Sequence, residues 1–308
     1  MLFNIKDKII KHKILFLLIN NFTIITSTKD PASNTMINYL LENEEFKITN
    51  NGITESHNNH NNTNTDFKIL SSVKHIKTTL VITDQDLINI NNLDGLVPKE
   101  NMVVFLSKHA SKSKTPTLTS HSTGNFSNII SLGGRPKEIG NTFPSFQKIY
   151  MKKMYEKRKE LFNYDLIIEA THHGPTSLIN PTLFIEIGSS ENQWTNKTTA
   201  SIVCKSVLES IKDIEKYIEN NDTSIGIGIG GNHYPQKYNE LILFSNVAFG
   251  PVISKYNLEF INERMIKQVK GKSIEKINHI YVDDKGLGKD KDKVLDILNS
   301  QDLEIIFI

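Results

Sequence analysis

Short, β-branched apolar runs recur along the chain, at residues 22–26, 79–82, 102–106, 166–170, 183–187, 224–229, 279–282 and 304–308. Few of them alternate with polar residues, so they predict strands buried on both faces. Segments of helical period lie between several of them: Met36, Ile37, Leu40 and Leu41 after the first run, then 146–162, 195–218, 258–269 and 291–298. Strands and helices alternating in this way predict an α/β fold in which helices cover a sheet on both sides. No internal repeat of fixed period is present, and no Pro/Ser/Gly-rich linker divides the pattern, so residues 22–308 are expected to form one domain.

Two segments fall outside that pattern. Residues 1–21 contain an apolar stretch, Ile14 to Ile19, behind Lys11 and Lys13, but Asn20 and Asn21 end it and no small-residue cleavage site follows. This predicts an N-terminal extension, not a signal peptide. Residues 50–65 are dense in Asn and contain His57 and His60; so polar a stretch cannot join a core and predicts a solvated low-complexity insert. No run approaches the ~18 apolar residues of a membrane span, so no membrane association is expected.

Composition narrows the classes. A chain of 308 residues buries roughly three-quarters of its surface on folding, enough for a core without disulfides or structural metals. Lys and Arg number 36 against 34 Asp and Glu, a net charge of +2, which excludes a histone-like or acidic-tail protein and leaves local basic patches as the only nucleic-acid footprint. The single Cys204 excludes a disulfide framework and a Cys-based zinc finger, and suits a reducing cytoplasm. Any bound metal must therefore be held by His and carboxylates.

The reactive residues collect just past the carboxyl ends of the predicted strands, where open α/β sheets bind ligands. Ser27, Lys29 and Asp30 follow the first run, Lys108 and His109 the third, Thr171, His172 and His173 the fourth, and Gly230, Gly231, His233 and Tyr234 the sixth. Neighbouring strand residues point to opposite faces, so His172 and His173 predict one metal ligand and one catalytic or supporting imidazole unless the following Gly174 and Pro175 turn the chain. Gly226, Gly228 and Gly231 match a dinucleotide-binding spacing, but Pro235 and the lack of a later acidic residue break that context. The amides of Gly230 and Gly231 are instead candidates to hold an oxyanion. Glu186, between Ile185 and Ile187, is too costly to bury unpaired and predicts either a metal ligand or a cation partner. His121 is a further candidate. Lys148, Lys152 and Lys159 form a basic stripe on the 146–162 segment, either a solvated face or a phosphate contact.

These blocks, in this order, resemble the archaeal and plant type of D-aminoacyl-tRNA deacylase. The likeness rests on Ser27-Thr-Lys-Asp-Pro-Ala-Ser33, Ser107-Lys-His-Ala110, Glu169-Ala-Thr-His-His-Gly-Pro-Thr176, Phe184-Ile-Glu-Ile-Gly-Ser189 with Glu191 and Trp194, and Gly230-Gly-Asn-His-Tyr234. The leading 20 residues, the Asn/His-rich insert and Lys108, where the family commonly has Arg, depart from it. The resemblance implies a three-layer α/β/α fold of the phosphorylase/hydrolase type with a mixed, mostly parallel sheet. It also implies bound Zn2+ and hydrolysis of the ester between a D-amino acid and the terminal ribose of tRNA. Within it, His172, His233 and His109 are the expected ligands, and His173, Glu186, Gly230 and Gly231 the catalytic groups. Ser27, Lys29, Asp30, Lys108, His121, Thr171 and Tyr234 are expected to contact substrate, and Lys148, Lys152 and Lys159 the tRNA. A cytoplasmic monomer is expected. Two other readings remain open on the residues alone: a zinc amidohydrolase or aminopeptidase acting on small substrates, and a metal-stabilised RNA-binding module.

Overall fold

In the computed structural model, residues 21–44, 46–48, 57–58, 64–65 and 67–308 are described. Residues 1–20 of the N-terminal extension and most of the insert, including His60, lie outside them.

The strands are β1 (Phe22–Ser27), β2 (Phe46–Ile48), β3 (His57–Asn58), β4 (Asn64–Thr65), β5 (Phe67–Ser72), β6 (Thr78–Thr83), β7 (Met102–Ala110), β8 (Thr117–His121), β9 (Gly124–Asn125), β10 (Glu138–Ile139), β11 (Asp165–Ile168), β12 (Thr182–Ser189), β13 (Ser224–Ile229), β14 (Val247–Ile253), β15 (His279–Val282) and β16 (Glu304–Phe307). The helices are α1 (Pro31–Asn43), α2 (Pro144–Glu156), α3 (Glu191–Trp194), α4 (Lys197–Asn220), α5 (Gln236–Phe244), α6 (Glu263–Gly271) and α7 (Lys291–Asn299).

The strands form two main sheets where one was expected. The large sheet runs β11-β8-β12-β7-β1-β6-β5-β2 and the small one β14-β13-β15-β16. The small sheet is all parallel. The large one is mixed, with β8 antiparallel to β12 and β5 antiparallel to β6 and β2. The α/β class agrees with the sequence pattern, and the mixed, mostly parallel sheet with what the family resemblance implied. One face of the large sheet, carrying Ile24, Leu80, Val104 and Ile185, packs on α1, α2 and α4. The opposite face, carrying Ile25, Val81, Val103, Phe105 and Phe184, is closed by Leu87, Ile90, Leu93, Leu96 and Val97. The small sheet packs Ile225, Ile227 and Ile229 on α6 and α7.

β8 and β14 are among the main-sheet strands that lie outside the predicted runs. β8, Thr-Leu-Thr-Ser-His, is buried throughout although mostly polar, because it lies between β11 and β12. β14 contains Gly250-Pro251 and is tolerated as a strand because it lies at a sheet edge. Helix α2 stops at Glu156 and not at 162, so Lys159 sits on the turns beyond it.

Candidate active site

β7 and β12 run side by side with Ser107 opposite Glu186 and His109 opposite Gly188, while His121 of β8 lies opposite Phe184. Paired residues share a face, so Ser107, His109, His121 and Glu186 project from one side of the large sheet. Ser107, Lys108 and His109 thus lie inside a strand that continues to Ala110, not beyond its end. Gly188 makes this arrangement possible: a Cβ there would lie 2.7 Å from the His109 Cβ. Beyond β11 the chain turns through 169–175 and delivers Glu169, His172 and His173 to the same place. His173 has φ +42°, and Gly174 is packed so tightly on Gly133, Gly134 and Ile88 that a Cβ would fall 2.2 Å from Gly134 N. The turn lets both neighbouring imidazoles face the cluster. The 230–235 loop adds His233 and Tyr234, and the Ala170 N–H donates to His233 O (2.8 Å), tying the two loops together.

The polar groups interlock. Ser107 Oγ donates to Glu186 Oε1 (2.7 Å) and His109 Nδ1 lies 3.2 Å from both Glu186 Oε2 and Glu169 Oε1. Its one hydrogen goes to Glu186, which leaves the buried Glu169 Oε1 with no hydrogen bond. His109 Nε2 meets the Tyr234 hydroxyl at 2.7 Å, and His233 Nε2 meets Glu169 Oε2 at 2.8 Å. Three imidazoles turn their Nδ1 to backbone carbonyls: His121 to Ser122 O (3.1 Å), His172 to Ala170 O (2.8 Å) and His173 to Gly174 O (2.6 Å). A carbonyl only accepts, so each Nδ1 carries the hydrogen; His172 and His173, with lowered pKa values, can offer a lone pair at Nε2, whereas at His121 burial is outweighed by Glu186 and Glu169, which raise its pKa. Their rings stand 4.1–4.6 Å apart, centre to centre. Among the described residues the fully buried His121 Nε2 has no hydrogen-bond partner, with Glu186 Oε1 3.8 Å away.

Charge follows from these contacts. Burial alone would lower the His109 pKa, but Glu169 and Glu186 outweigh it and raise it to about 11. Burial would raise Glu169 and Glu186, but the imidazoles hold both well below the usual carboxylate range. His173 is pushed down to about 4 by burial and by the neighbouring His121. His172 falls well below its ordinary value for the same reasons, joined by repulsion from His173.

Three overlapping sets of potential ligand atoms lie within 4.8 Å of one another: His121, His172 and His173; Glu169, His172 and His233; and His109, Glu169 and Glu186. The structure thus brings together His109, His121, His172, His173, Glu186, His233 and Tyr234 from the sequence-based set. It also adds Glu169, which carried no expected role. Its signal was present, a carboxylate directly after Ile167 and Ile168, the same pattern that singled out Glu186.

His109, an expected ligand, stands in a potential ligand set with Glu169 and Glu186, while in this arrangement its ring nitrogens bridge Glu186 and the Tyr234 hydroxyl. Other expectations are corrected. The Gly230 N–H donates to Ile253 O (2.8 Å), so it is not available to an oxyanion; that of Gly231 points at Gly286 O across 3.4 Å. Ser27, Asp30 and Thr171 are scaffold. Ser27 Oγ donates to Gln85 O (2.6 Å), Asp30 accepts from Ser33 N and Lys108 N (both 2.9 Å), and Thr171 Oγ1 accepts from Val252 N (3.0 Å). Lys29 and Lys108 are exposed, Lys29 3.9 Å from Asp84 and Lys108 over the Trp194 ring. Lys148 is 1% exposed, its ammonium donating to Ile242 O, Ser245 O and Val247 O at 2.7–2.8 Å, so it cannot touch tRNA. Much of the charge beside it is spent on helix packing, since Lys153 and Lys157 pair with Asp213 and Glu209 of α4.

A family model described as D-aminoacyl-tRNA deacylase matches residues 97–306, which include every member of this cluster. The chain belongs to that family. It is 34% identical over 227 residues to the D-aminoacyl-tRNA deacylase of Cenarchaeum symbiosum, covering 74% of this chain and 85% of that one. To the Pyrococcus abyssi enzyme of the same name it is 32% identical over 292 residues, 92% and 98% of the two chains. The crystal structure of a conserved protein of unknown function shares the fold, with a TM-score of 0.79 at 22% identity over 94% of this chain and 96% of the other. The resemblance read from the histidine blocks is therefore borne out, and in this deacylase those blocks form one centre.

Proposed function

We propose that the chain hydrolyses the ester joining a D-amino acid to the terminal ribose of tRNA, releasing free D-amino acid and reusable tRNA in the cytoplasm. The observation that carries the reading is the meeting of two buried carboxylates, Glu169 and Glu186, with five imidazoles in a chain of the D-aminoacyl-tRNA deacylase family.

The same cluster fits Zn2+. Among the described residues the buried Glu169 Oε1 has no hydrogen-bond partner, and Glu169 belongs to two of the potential ligand sets, so a cation beside it would satisfy it. Imidazole and carboxylate without thiolate is the donor set of hydrolytic zinc, and imidazoles fixed through Nδ1–H to carbonyls are oriented as zinc ligands commonly are. Glu169, His172 and His233 would form the holding set, which leaves the Nε2 of His173 free. When bound, zinc supplies Lewis acidity for the ester carbonyl and lowers the pKa of a water to ~7.

The chain's own groups do the rest. Glu186, with one oxygen bound by Ser107 and the other by His109, anchors His109, which in turn orients the Tyr234 hydroxyl toward the crevice. His173, its Nδ1–H fixed on Gly174 O, presents a neutral Nε2 able to take a proton from the attacking water and return it to the leaving ribose oxygen. Purified protein should deacylate D-aminoacyl-tRNA and leave the matching L-aminoacyl-tRNA intact, with a free D-amino-acid methyl ester as third substrate. Hydrolysis of the methyl ester alone would move the protein to the small-substrate hydrolases, and binding of tRNA without turnover would make it an RNA-binding module.

A further inference from the structure

With Lys148 buried and Lys153 and Lys157 paired to α4, only part of the basic stripe is left for a polyanionic substrate. A cavity of ≈ 430 Å³ opens beside the cluster, lined by Gly231, Asn232, Tyr234, the start of α5, Lys255 and the turn 283–288. Lys237, Lys255 and Lys285 face it with a single carboxylate, Asp283, in a chain whose net charge is only +2. Lys237 is fixed, its Nζ donating to Asp283 Oδ1 (2.8 Å) and Ile308 O (2.7 Å). Lys255 and Lys285 are exposed and, among the described residues, neither is in an ion pair. The amides of the first turn of α5 on the same wall have no acceptor within the helix.

Tyr234 joins this cavity to the chemistry. It is one of the lining residues while its hydroxyl meets His109 Nε2 at 2.7 Å, and the preceding His233 is bound to Glu169. Tyr234 also borders a second cavity of ≈ 460 Å³, with Ser113, Thr115, Thr117 and Asp165, whose lining holds no Lys or Arg. Of the two spaces beside the cluster, only the first suits an anion.

We propose that the Lys237–Lys255–Lys285 cavity is the subsite for a backbone phosphate of the tRNA acceptor strand, next to the terminal ribose whose ester is cleaved. This rests on the deacylase reading. Strand phosphate and free nucleotide share the same chemistry, and the test separates them. The double variant Lys255→Ala/Lys285→Ala is compared with wild type on D-aminoacyl-tRNA and on the D-amino-acid ester of adenosine, which has no phosphate. The expected result on the tRNA is KM raised at least ~10-fold, kcat within ~2-fold, and the slope of log KM against log salt reduced by up to ~1–2. The loss on the adenosine ester should be at least ~5-fold smaller than that on the tRNA. Equal losses on both substrates, or an unchanged KM and salt slope on the tRNA, would overturn the subsite alone. So would loss of inhibition by adenosine monophosphate with KM for the tRNA unchanged, which would assign the cavity to a free nucleotide. Wild-type protein that leaves D-aminoacyl-tRNA intact would overturn the deacylase reading and the subsite with it.

Discussion

Gly188→Ala is the smallest change that separates the catalytic cluster from the fold. The added methyl carbon would lie 2.7 Å from His109 Cβ, 2.8 Å from its Cδ2 and 3.0 Å from its carbonyl oxygen. Ordinary carbon contacts begin near ~3.5 Å, so His109 must retreat by about 0.8 Å. A shift of that size would stretch its 2.7 Å contact with Tyr234 and its 3.2 Å contact with Glu186 beyond hydrogen-bonding length. Misplacement of a catalytic array by ~1 Å costs on the order of 100-fold, or about 2.7 kcal/mol of transition-state stabilisation. Overpacking of this kind costs about 1–3 kcal/mol in stability, which a chain of this size survives with a melting temperature lower by several degrees. The assay is kcat/KM on D-aminoacyl-tRNA beside thermal unfolding. Gly271→Ala serves as the control, since a Cβ there meets nothing within 4 Å. A folded Gly188→Ala protein with kcat/KM within ~3-fold of wild type would refute the view that His109 orients the centre.

Further outcomes follow from other buried groups. Lys148→Met leaves three carbonyls without a donor at about 1 kcal/mol each, partly offset by removing an ammonium that burial and Lys152 pull down to about 7. Urea unfolding should show a net loss of about 1–3 kcal/mol with no change in the salt dependence of KM, and a changed salt slope at full stability would restore Lys148 as a tRNA contact. Glu275, which accepts from Ser145 N and Oγ at the start of α2, is raised to about 7 by burial. The folded chain therefore holds this proton more tightly than the unfolded one, so the contribution is fully present below about pH 4.5 and is lost as pH rises through about 7. Glu275→Gln should flatten the fall in melting temperature between pH 5 and 8, and an identical pH profile in variant and wild type would exclude Glu275 as its source. Single His172→Ala and His233→Ala proteins should stay folded at ~25 °C yet lose zinc and at least ~100-fold in kcat; full zinc in both would remove these residues from the ligand set.

How far the chain could be read before folding depended on the kind of signal. Apolar runs such as Met102 to Leu106 and Ile225 to Ile229 are strands because nothing else buries β-branched residues so densely. The Gly174-Pro175 break showed that the His172-His173 pair could turn toward one place. β8 was illegible, since Thr117, Thr119 and Ser120 acquire their buried environment only when β11 and β12 close on them. The Lys148 stripe misled for a related reason: helical spacing gives the face of a residue but not what packs there, and here the end of α5 supplies carbonyls to an ammonium. Gly230 looked like an anion donor because Gly231 follows it, but its N–H is claimed by β14, a strand hidden by its Gly-Pro pair. Glu169 could have been found by the argument applied to Glu186, that a carboxylate behind apolar strand residues needs a cationic partner.

The central claim is that the cluster around Glu169, Glu186 and the five histidines hydrolyses D-aminoacyl-tRNA with zinc in place. The most direct test is the rate of D-aminoacyl-tRNA hydrolysis by the purified protein before chelation, after chelation and after stoichiometric Zn2+ is returned. The account predicts activity at the start, a loss of at least ~100-fold on chelation, and recovery with zinc in the wild type but not in Glu169→Gln. Undiminished hydrolysis by metal-free protein, or recovery in Glu169→Gln equal to that of wild type, would contradict it.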